Sequence, residues 1–127
     1  HEYLESVRLD RWPEFTYRVG DVRLRREMLL IHGTSRLVLR WSIQGLSKLP
    51  PLTLRIKPLL AYRHFHALTT ANPHLNAHTT ELPQGFSITP YDGLPTLFVQ
   101  VRGPHTFLPA PDWFHHVEYM QERERGF

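Results

Sequence analysis

The chain has 127 residues, 41% hydrophobic and 21% charged, which is ordinary usage for a globular protein and argues against disorder. It contains no cysteine, which excludes a disulfide scaffold and cysteine-based zinc sites. The net charge of +3 is modest, and its densest cluster, Arg23, Arg25 and Arg26, is followed at once by Glu27, so we expect a solvated strand face and no nucleic-acid site.

The first predicted element is a hairpin of two alternating strands, residues 15–19 and 22–25, joined by Gly20 and Asp21. Glycine at the first of two turn positions suits a type II′ turn. The resulting register pairs Val19 with Val22, Tyr17 with Leu24, and Arg18 with Arg23. Directly opposed like charges slightly disfavour this pairing unless an acid or a ligand lies between the two arginines.

The next two predicted strands differ in pattern. Residues 28–31 are continuously apolar, which predicts burial on both faces, and residues 32–34 predict a turn. Residues 36–43 then alternate. Their pattern directs Leu37, Leu39, Trp41 and Ile43 inward, and Arg36, Val38, Arg40 and Ser42 outward. Trp41 is therefore expected in the core.

The run from residue 52 to residue 66 has the most informative pattern in the chain. Leu52, Leu54 and Ile56 alternate with Thr53, Arg55 and Lys57, which predicts a strand with one buried side. Pro58 breaks this strand. Arg63, His64 and His66 then follow as a polar group at its end. Such a group after a strand is a candidate site.

The rest of the chain is rich in loops, with loops predicted over residues 69–76 and 79–84. Strands are predicted at residues 86–88 and 97–101, joined by a turn at residues 91–93, then at 106–108 and 113–120. A charged tail ends the chain. There is no internal repeat, so we predict one all-β domain over residues 1–127, an antiparallel β-sandwich.

Several segments together resemble the N-terminal domain of the bacterial and archaeal type of glycogen debranching enzyme, the amylo-α-1,6-glucosidase family. The opening run includes Tyr3, Pro13, Tyr17, Gly20 and Met28. Residues 35–41 with 52–66 resemble a family signature in which Lys57 replaces arginine and His64 replaces aspartate. The segment with Trp113, Tyr119, Glu122, Arg125 and Gly126 resembles the family's closing motif.

This resemblance implies a galactose-mutarotase-like supersandwich, present in part, that packs beside a catalytic (α/α)6 barrel in the same parent chain. It implies that the parent is a glycoside hydrolase of carbohydrate metabolism, cleaving α-1,6-linked glucose at glycogen branch points. We expect the chain to be a fragment of that enzyme, inactive alone, because glycosidic hydrolysis needs two flanking carboxylates and no persuasive pair is found. Glu122 and Glu124 lie among arginines and are expected to be solvated or at an interface.

The candidate site residues for sugar binding are Arg63, His66, Trp113 and Tyr119. Sugars bind by stacking on aromatic faces and by fixed hydrogen bonds. Arg63 could instead brace the barrel through a carboxylate, and Glu122 and Arg125 are assigned to the same interface. Trp12 lies at a strand edge, where it could be exposed. Glycogen or another α-glucan is the expected ligand.

A metal site is a weaker hypothesis, with His64 and His66 on one side of an extended segment and His78 or Asp92 as a third ligand. The alternative is an ordinary pair of hydrogen-bonded histidines, and no cofactor is predicted.

A different class of function remains open, a stand-alone carbohydrate-binding or protein-interaction module. No apolar run is long enough for a membrane span and no signal peptide is visible, so we expect no membrane partner and a cytoplasmic location. If opening strands and the barrel are missing, an apolar face and sheet edges are exposed, which predicts self-association.

Overall fold

The computed structural model describes residues 2–45, 51–64, 67, 69–117 and 119–126. The chain divides into two compact units, residues 1–56 and residues 57–127. Each unit contains one antiparallel sheet, of four strands in the first and three in the second. The predicted all-β, antiparallel class is therefore confirmed. That the two sheets belong to a single sandwich domain stays a prediction.

The first sheet is a meander in the order β1-β2-β3-β4. The strands are β1 (Leu4–Leu9), β2 (Pro13–Val19), β3 (Val22–Ile31) and β4 (Arg36–Gln44). Each strand pairs with the next along the chain because short turns connect them.

The predicted β2–β3 hairpin is confirmed in its turn and its register. Gly20 has a φ of 59° whereas Asp21 does not take a positive φ, the combination expected of a type II′ turn. Tyr17 faces Leu24 and Arg18 faces Arg23. The acid beside the two arginines is Glu5 of β1, whose carboxylate accepts hydrogen bonds of 3.0 and 2.9 Å from Arg23. These hydrogen bonds are the main cause that lowers the pKa of Glu5.

Strict pairing divides the side chains of this sheet between two faces, because directly opposed residues point the same way. The apolar face carries Val7, Leu9, Phe15, Tyr17, Val19, Val22, Leu24, Arg26, Met28, Leu30, Leu37, Leu39, Trp41 and Ile43. The charged face carries Glu5, Ser6, Arg8, Glu14, Thr16, Arg18, Arg23, Arg25, Glu27, Arg36, Arg40, Ser42 and Gln44, together with the apolar Leu29, Ile31 and Val38 near the β3–β4 turn.

The apolar face is open to solvent over much of its area. Leu30 is 69% exposed and Leu9 78% exposed, and no apolar side chain among the described residues is fully buried. Two expectations are therefore wrong: residues 28–31 are not buried on both faces, and Leu37 and Leu39 are exposed although they point to the apolar side. Trp41 is half-buried on this face. Within this unit the sheet is a single layer, and a sheet buries its apolar face only against a second layer.

The strand predicted at residues 52–57 is absent, and residues 51–60 form no regular structure. Leu52, Leu54 and Ile56 are exposed. Alternation gives a segment two faces, but a strand also requires a neighbouring strand for its backbone hydrogen bonds, and this segment has none.

The second sheet has the order β5-β6-β7, with β5 (Thr79–Leu82), β6 (Gly85–Ile88) and β7 (Leu97–Gln100). The β6–β7 pair and its turn at residues 91–93 confirm the prediction. The loop predicted at residues 79–84 is wrong, because a tight turn at Pro83 and Gln84 pairs β5 with β6. The strand predicted at residues 106–108 is also absent, and Phe107 instead stacks on Phe86 at a centroid distance of 4.5 Å.

The predicted strand at residues 113–120 is likewise wrong. The helix α1 (Met120–Glu124) begins where that strand was expected to end, and its residues are mostly strong helix formers. Gly126 follows with a φ of 84°, and its amide donates to the carbonyl of Arg123. Among the described residues, no helix has the length and apolar character that crossing a membrane requires.

Candidate functional site

Two of the predicted site residues, Arg63 and Tyr119, lie in contact in the second unit. The Arg63 guanidinium lies 5.4 Å from the centre of the Tyr119 ring, a cation–π geometry. The same guanidinium donates to the carbonyl oxygens of His64, at 3.1 Å, and Ala67. These contacts fix a planar cation and an aromatic ring beside each other. Two residues 56 positions apart in the sequence are thus brought together, and their role in sugar binding stays a prediction.

The backbone next to this pair has a positive φ at two non-glycine residues. Tyr62, directly before Arg63, has a φ of 42°, and His116, just before the Tyr119 segment, has a φ of 59°. They are the described non-glycine residues with positive φ; a bulky tyrosine is an outlier there, whereas histidine takes this conformation more readily. The Tyr62 hydroxyl donates to the Pro95 carbonyl at 3.3 Å, which holds the loop. Such outliers concentrate at functional sites.

The other predicted site residues do not join this pair within the described structure. Trp113 is half-buried, and its described interaction is between its backbone amide and the Asp112 carboxylate at 2.8 Å. Arg125 is exposed. His66 and the side chain of Glu122 lie outside the described residues, so their assignments stay predictions.

The metal hypothesis also stays a prediction. His64 is exposed, and among the described residues no group of three or more potential metal ligands is found. His66, its proposed companion, lies outside that part of the chain.

A second cluster, which the sequence argument missed, is built around Glu27 on the charged face. Glu27 is only 6% exposed. Its carboxylate accepts two hydrogen bonds of 2.6 Å from Arg40, directly opposite on β4, and one of 3.1 Å from the Trp12 indole nitrogen. Arg25 lies 3.5 Å away. The hydrogen bonds from Arg40 are the main cause that lowers the pKa of Glu27 to about 2.

A shallow pocket of about 180 Å³ opens beside this cluster. It is lined by Arg8, Asp10, Arg11, Trp12, Glu14 and Glu27. An indole together with fixed cations and carboxylates offers stacking, donors and acceptors in one place, which is the chemistry that hydroxyl-rich ligands use. The alternation of Arg23, Arg25 and Glu27 along β3 was the available signal for this charged face.

The third feature is Arg26, which the sequence argument placed on a solvated strand face with Arg23 and Arg25. That assignment is wrong for Arg26, which lies on the apolar face of the first sheet. Its guanidinium carbon lies 4.5 Å from the centre of the Phe15 ring, 5.7 Å from that of Tyr17 and 5.7 Å from that of Trp41. Because β3 continues beyond residue 25, Leu24, Arg26 and Met28 alternate along one strand and share a face. This alternation places Arg26 on the apolar face.

The chain matches, over residues 1–127, the model of a protein family described as "Glycogen debranching enzyme N terminal". No curated protein and no solved structure gives a significant match. The match covers the whole chain and agrees with the segments that carry the resemblance and with the all-β architecture. The chain therefore belongs to the family of glycogen debranching enzyme N-terminal domains.

Proposed function

We propose that this chain is a non-catalytic β domain that supports the catalytic barrel of a cytoplasmic glycogen debranching enzyme and holds glucan chains near it. In this proposal the parent enzyme hydrolyses the α-1,6-glucosidic branch points. The family match over residues 1–127 carries the proposal.

The carboxylates of the first sheet support a non-catalytic role. A glycosidase needs one carboxyl group that is protonated near neutral pH and a second one roughly 5–10 Å away. Glu27 and Glu14 lie directly opposite each other, but Arg25 lies 3.5 Å from both carboxylates. With its pKa lowered to about 2, Glu27 stays ionised and is unsuited to act as a general acid.

The glucan-holding part of the proposal is supported by two places that offer the required chemistry. In the second unit, Arg63 and Tyr119 combine an aromatic face with a fixed donor. In the first unit, Trp12 borders the pocket beside Glu27. Neutral sugars gain little from a net charge, so stacking and paired donors and acceptors decide their affinity.

Titration of the chain with glycogen and with maltooligosaccharides, followed by tryptophan fluorescence, tests glucan binding. We expect saturable quenching. Trp12→Phe should remove the signal if the first unit binds, whereas Tyr119→Leu should weaken binding if the second unit binds. A fluorescence signal that does not change with either ligand contradicts glucan holding and leaves a supporting role alone.

Hydrolysis of a branched limit dextrin tests the catalytic assignment. The chain alone should release no free glucose, and the debranching enzyme that carries it should release glucose. Free glucose from the chain alone would contradict the non-catalytic role, and none from either protein would contradict the enzyme assignment.

A further inference from the structure

A row of four charged residues crosses the charged face of the first sheet, one from each strand. Arg8 of β1 is directly opposite Glu14 of β2. Glu27 of β3 is directly opposite Glu14 on one side and Arg40 of β4 on the other. Directly opposed side chains point the same way, with Cβ atoms about 4.5–5.5 Å apart. The row therefore places two neighbouring carboxylates between two guanidinium groups on one surface.

The two carboxylates of this row differ in how fully they are bonded. Glu27 accepts hydrogen bonds from Arg40 and from the Trp12 indole, which uses most of its acceptor capacity. Glu14, by contrast, accepts no side-chain or backbone hydrogen bond within the described part of the chain, and the nearest cation is Arg25 at 3.5 Å. Glu14 therefore keeps free acceptor positions at the pocket that it lines.

Arg8 supplies unused donors at the same pocket. It is exposed, and among the described residues its guanidinium has neither an ion pair nor a hydrogen bond, although Glu14 is directly opposite. A donor and an acceptor thus stand side by side without being committed to each other. Such a pair can serve the hydroxyl groups of one ligand.

Trp12 gives the pocket an aromatic wall that is already held in place. Its indole nitrogen donates to Glu27 at 3.1 Å, and Glu27 is itself held by two hydrogen bonds of 2.6 Å from Arg40. A ligand that stacks on this indole does not have to immobilise it first, which lowers the entropic cost of binding.

The charge and size of the pocket indicate which ligand it suits. Arg8 and Arg11 line it together with three carboxylates, so neither sign dominates. Its volume of about 180 Å³ is below the roughly 300–1,000 Å³ of sites for drug-sized molecules, which favours a single ring. It is formed within the first unit and on the charged face, whereas a second layer of a sandwich covers the apolar face.

We propose that the pocket beside Trp12 is the glucan-holding subsite of this domain and takes one neutral glucosyl ring. Trp12 supplies the stacking surface, Glu14 accepts hydrogen bonds from sugar hydroxyl groups, and Arg8 donates hydrogen bonds to them. This inference rests on the proposed function, and it selects the first unit from the two places that offer the required chemistry.

A chain with Trp12 as its single tryptophan tests the location. The variant that combines Trp41→Phe and Trp113→Phe loses no described side-chain hydrogen bond, because Trp41 Nε1 has no acceptor there and Trp113 donates through its backbone amide. Titration with maltohexaose should change the Trp12 emission saturably and protect Trp12 from quenching by acrylamide. Unchanged emission at sugar concentrations where calorimetry detects binding would refute the subsite.

Substitutions in the row test the hydrogen bonds, with maltohexaose affinity measured by calorimetry. Glu14→Gln and Arg8→Met should each weaken binding roughly tenfold, as expected for loss of a hydrogen bond to a charged group. The controls Glu5→Gln and Arg36→Met make the same charge changes on the same face outside the pocket, and should leave the affinity within about twofold. Arg8 and Arg36 are both exposed without a described ion pair, so neither substitution should disturb folding.

Inorganic phosphate tests the neutral character of the ligand. At a concentration equal to that of maltohexaose it should not displace the sugar, because the carboxylates of the pocket repel an anion. Displacement by phosphate would show that Arg8 and Arg11 form an anion site instead, and the proposal of a neutral ligand would be refuted.

The outcomes separate the inference from the proposed function. If the native chain binds maltohexaose and both Glu14→Gln and Arg8→Met bind equally well, the subsite is refuted while glucan holding stands. Tyr119→Leu would then be expected to weaken binding, through the second unit. If the native chain does not bind maltohexaose, the subsite and glucan holding are both refuted.

Discussion

Substitution of Gly85 by alanine should open the second sheet. Gly85 begins β6 with a φ of 143°, a backbone conformation that other residues rarely adopt. A Cβ atom there would overlap the carbonyl oxygen of Val99 and lie 2.9 Å from the Val99 carbonyl carbon and 3.2 Å from the Cα of Gln100. The obstacle is backbone of the neighbouring strand β7, so it cannot move without breaking the β6–β7 pairing.

The expected cost has two parts. Holding a non-glycine residue at such a φ costs about 1–3 kcal/mol, and overpacking adds about 1–3 kcal/mol. A total of about 2–6 kcal/mol is large for a three-stranded sheet in a chain where no described apolar side chain is fully buried. Gly93→Ala is the matched control, because Gly93 has a φ of 78° but nothing within 4 Å of the added Cβ, so only about 1–2 kcal/mol is expected.

Hydrogen–deuterium exchange over residues 79–100 measures the effect directly. Amide protection in β5–β7 should fall strongly in Gly85→Ala and only slightly in Gly93→Ala. Equal protection in the two variants would show that the contact with Val99 does not limit this sheet, and the steric argument would be refuted.

Three further predictions concern the first unit and the candidate site. The pKa of Glu27 is lowered from an ordinary 4.5 to about 2, so its contribution to stability is complete above pH 4.5 and is lost as the pH falls through 2. In denaturant titrations, Glu27→Gln should be less stable than the native chain at pH 7, and this difference should shrink below pH 4.5 and disappear below pH 2. A constant difference between them across this range would contradict the assignment. Glu5→Gln should change stability little and still less at high salt, because the ion pair with Arg23 is exposed; a large loss at high salt would contradict this. The native chain should self-associate with rising concentration in sedimentation experiments because its apolar face is open, and a strictly monomeric mass would contradict that expectation.

Much of the candidate site could not be predicted from the sequence, because it is formed by contacts between residues that are distant in the chain. The resemblance singled out Arg63 and Tyr119, and the structure places them together. By contrast, the carboxylate of Glu27 could be matched to Arg40 and Trp12 only once the β3–β4 register and the β1–β2 turn were known. Partner identity across strands depends on register, and register is a property of the folded sheet.

Local sequence patterns were enough to predict the parts of the structure that short-range interactions control. The alternation around Gly20 and Asp21 specified the hairpin, its turn type and its register, whereas the acid beside the two arginines, Glu5, was identified only by the structure. Which alternating segments become strands, and which apolar residues are covered, depends on contacts between segments that are distant in the sequence. Residues 52–57 alternate as regularly as β4, yet they form no strand, because backbone hydrogen bonds must come from a neighbouring strand. The environment of Arg26 likewise became clear only from the folded sheet, in which three aromatic rings from two other strands surround its guanidinium.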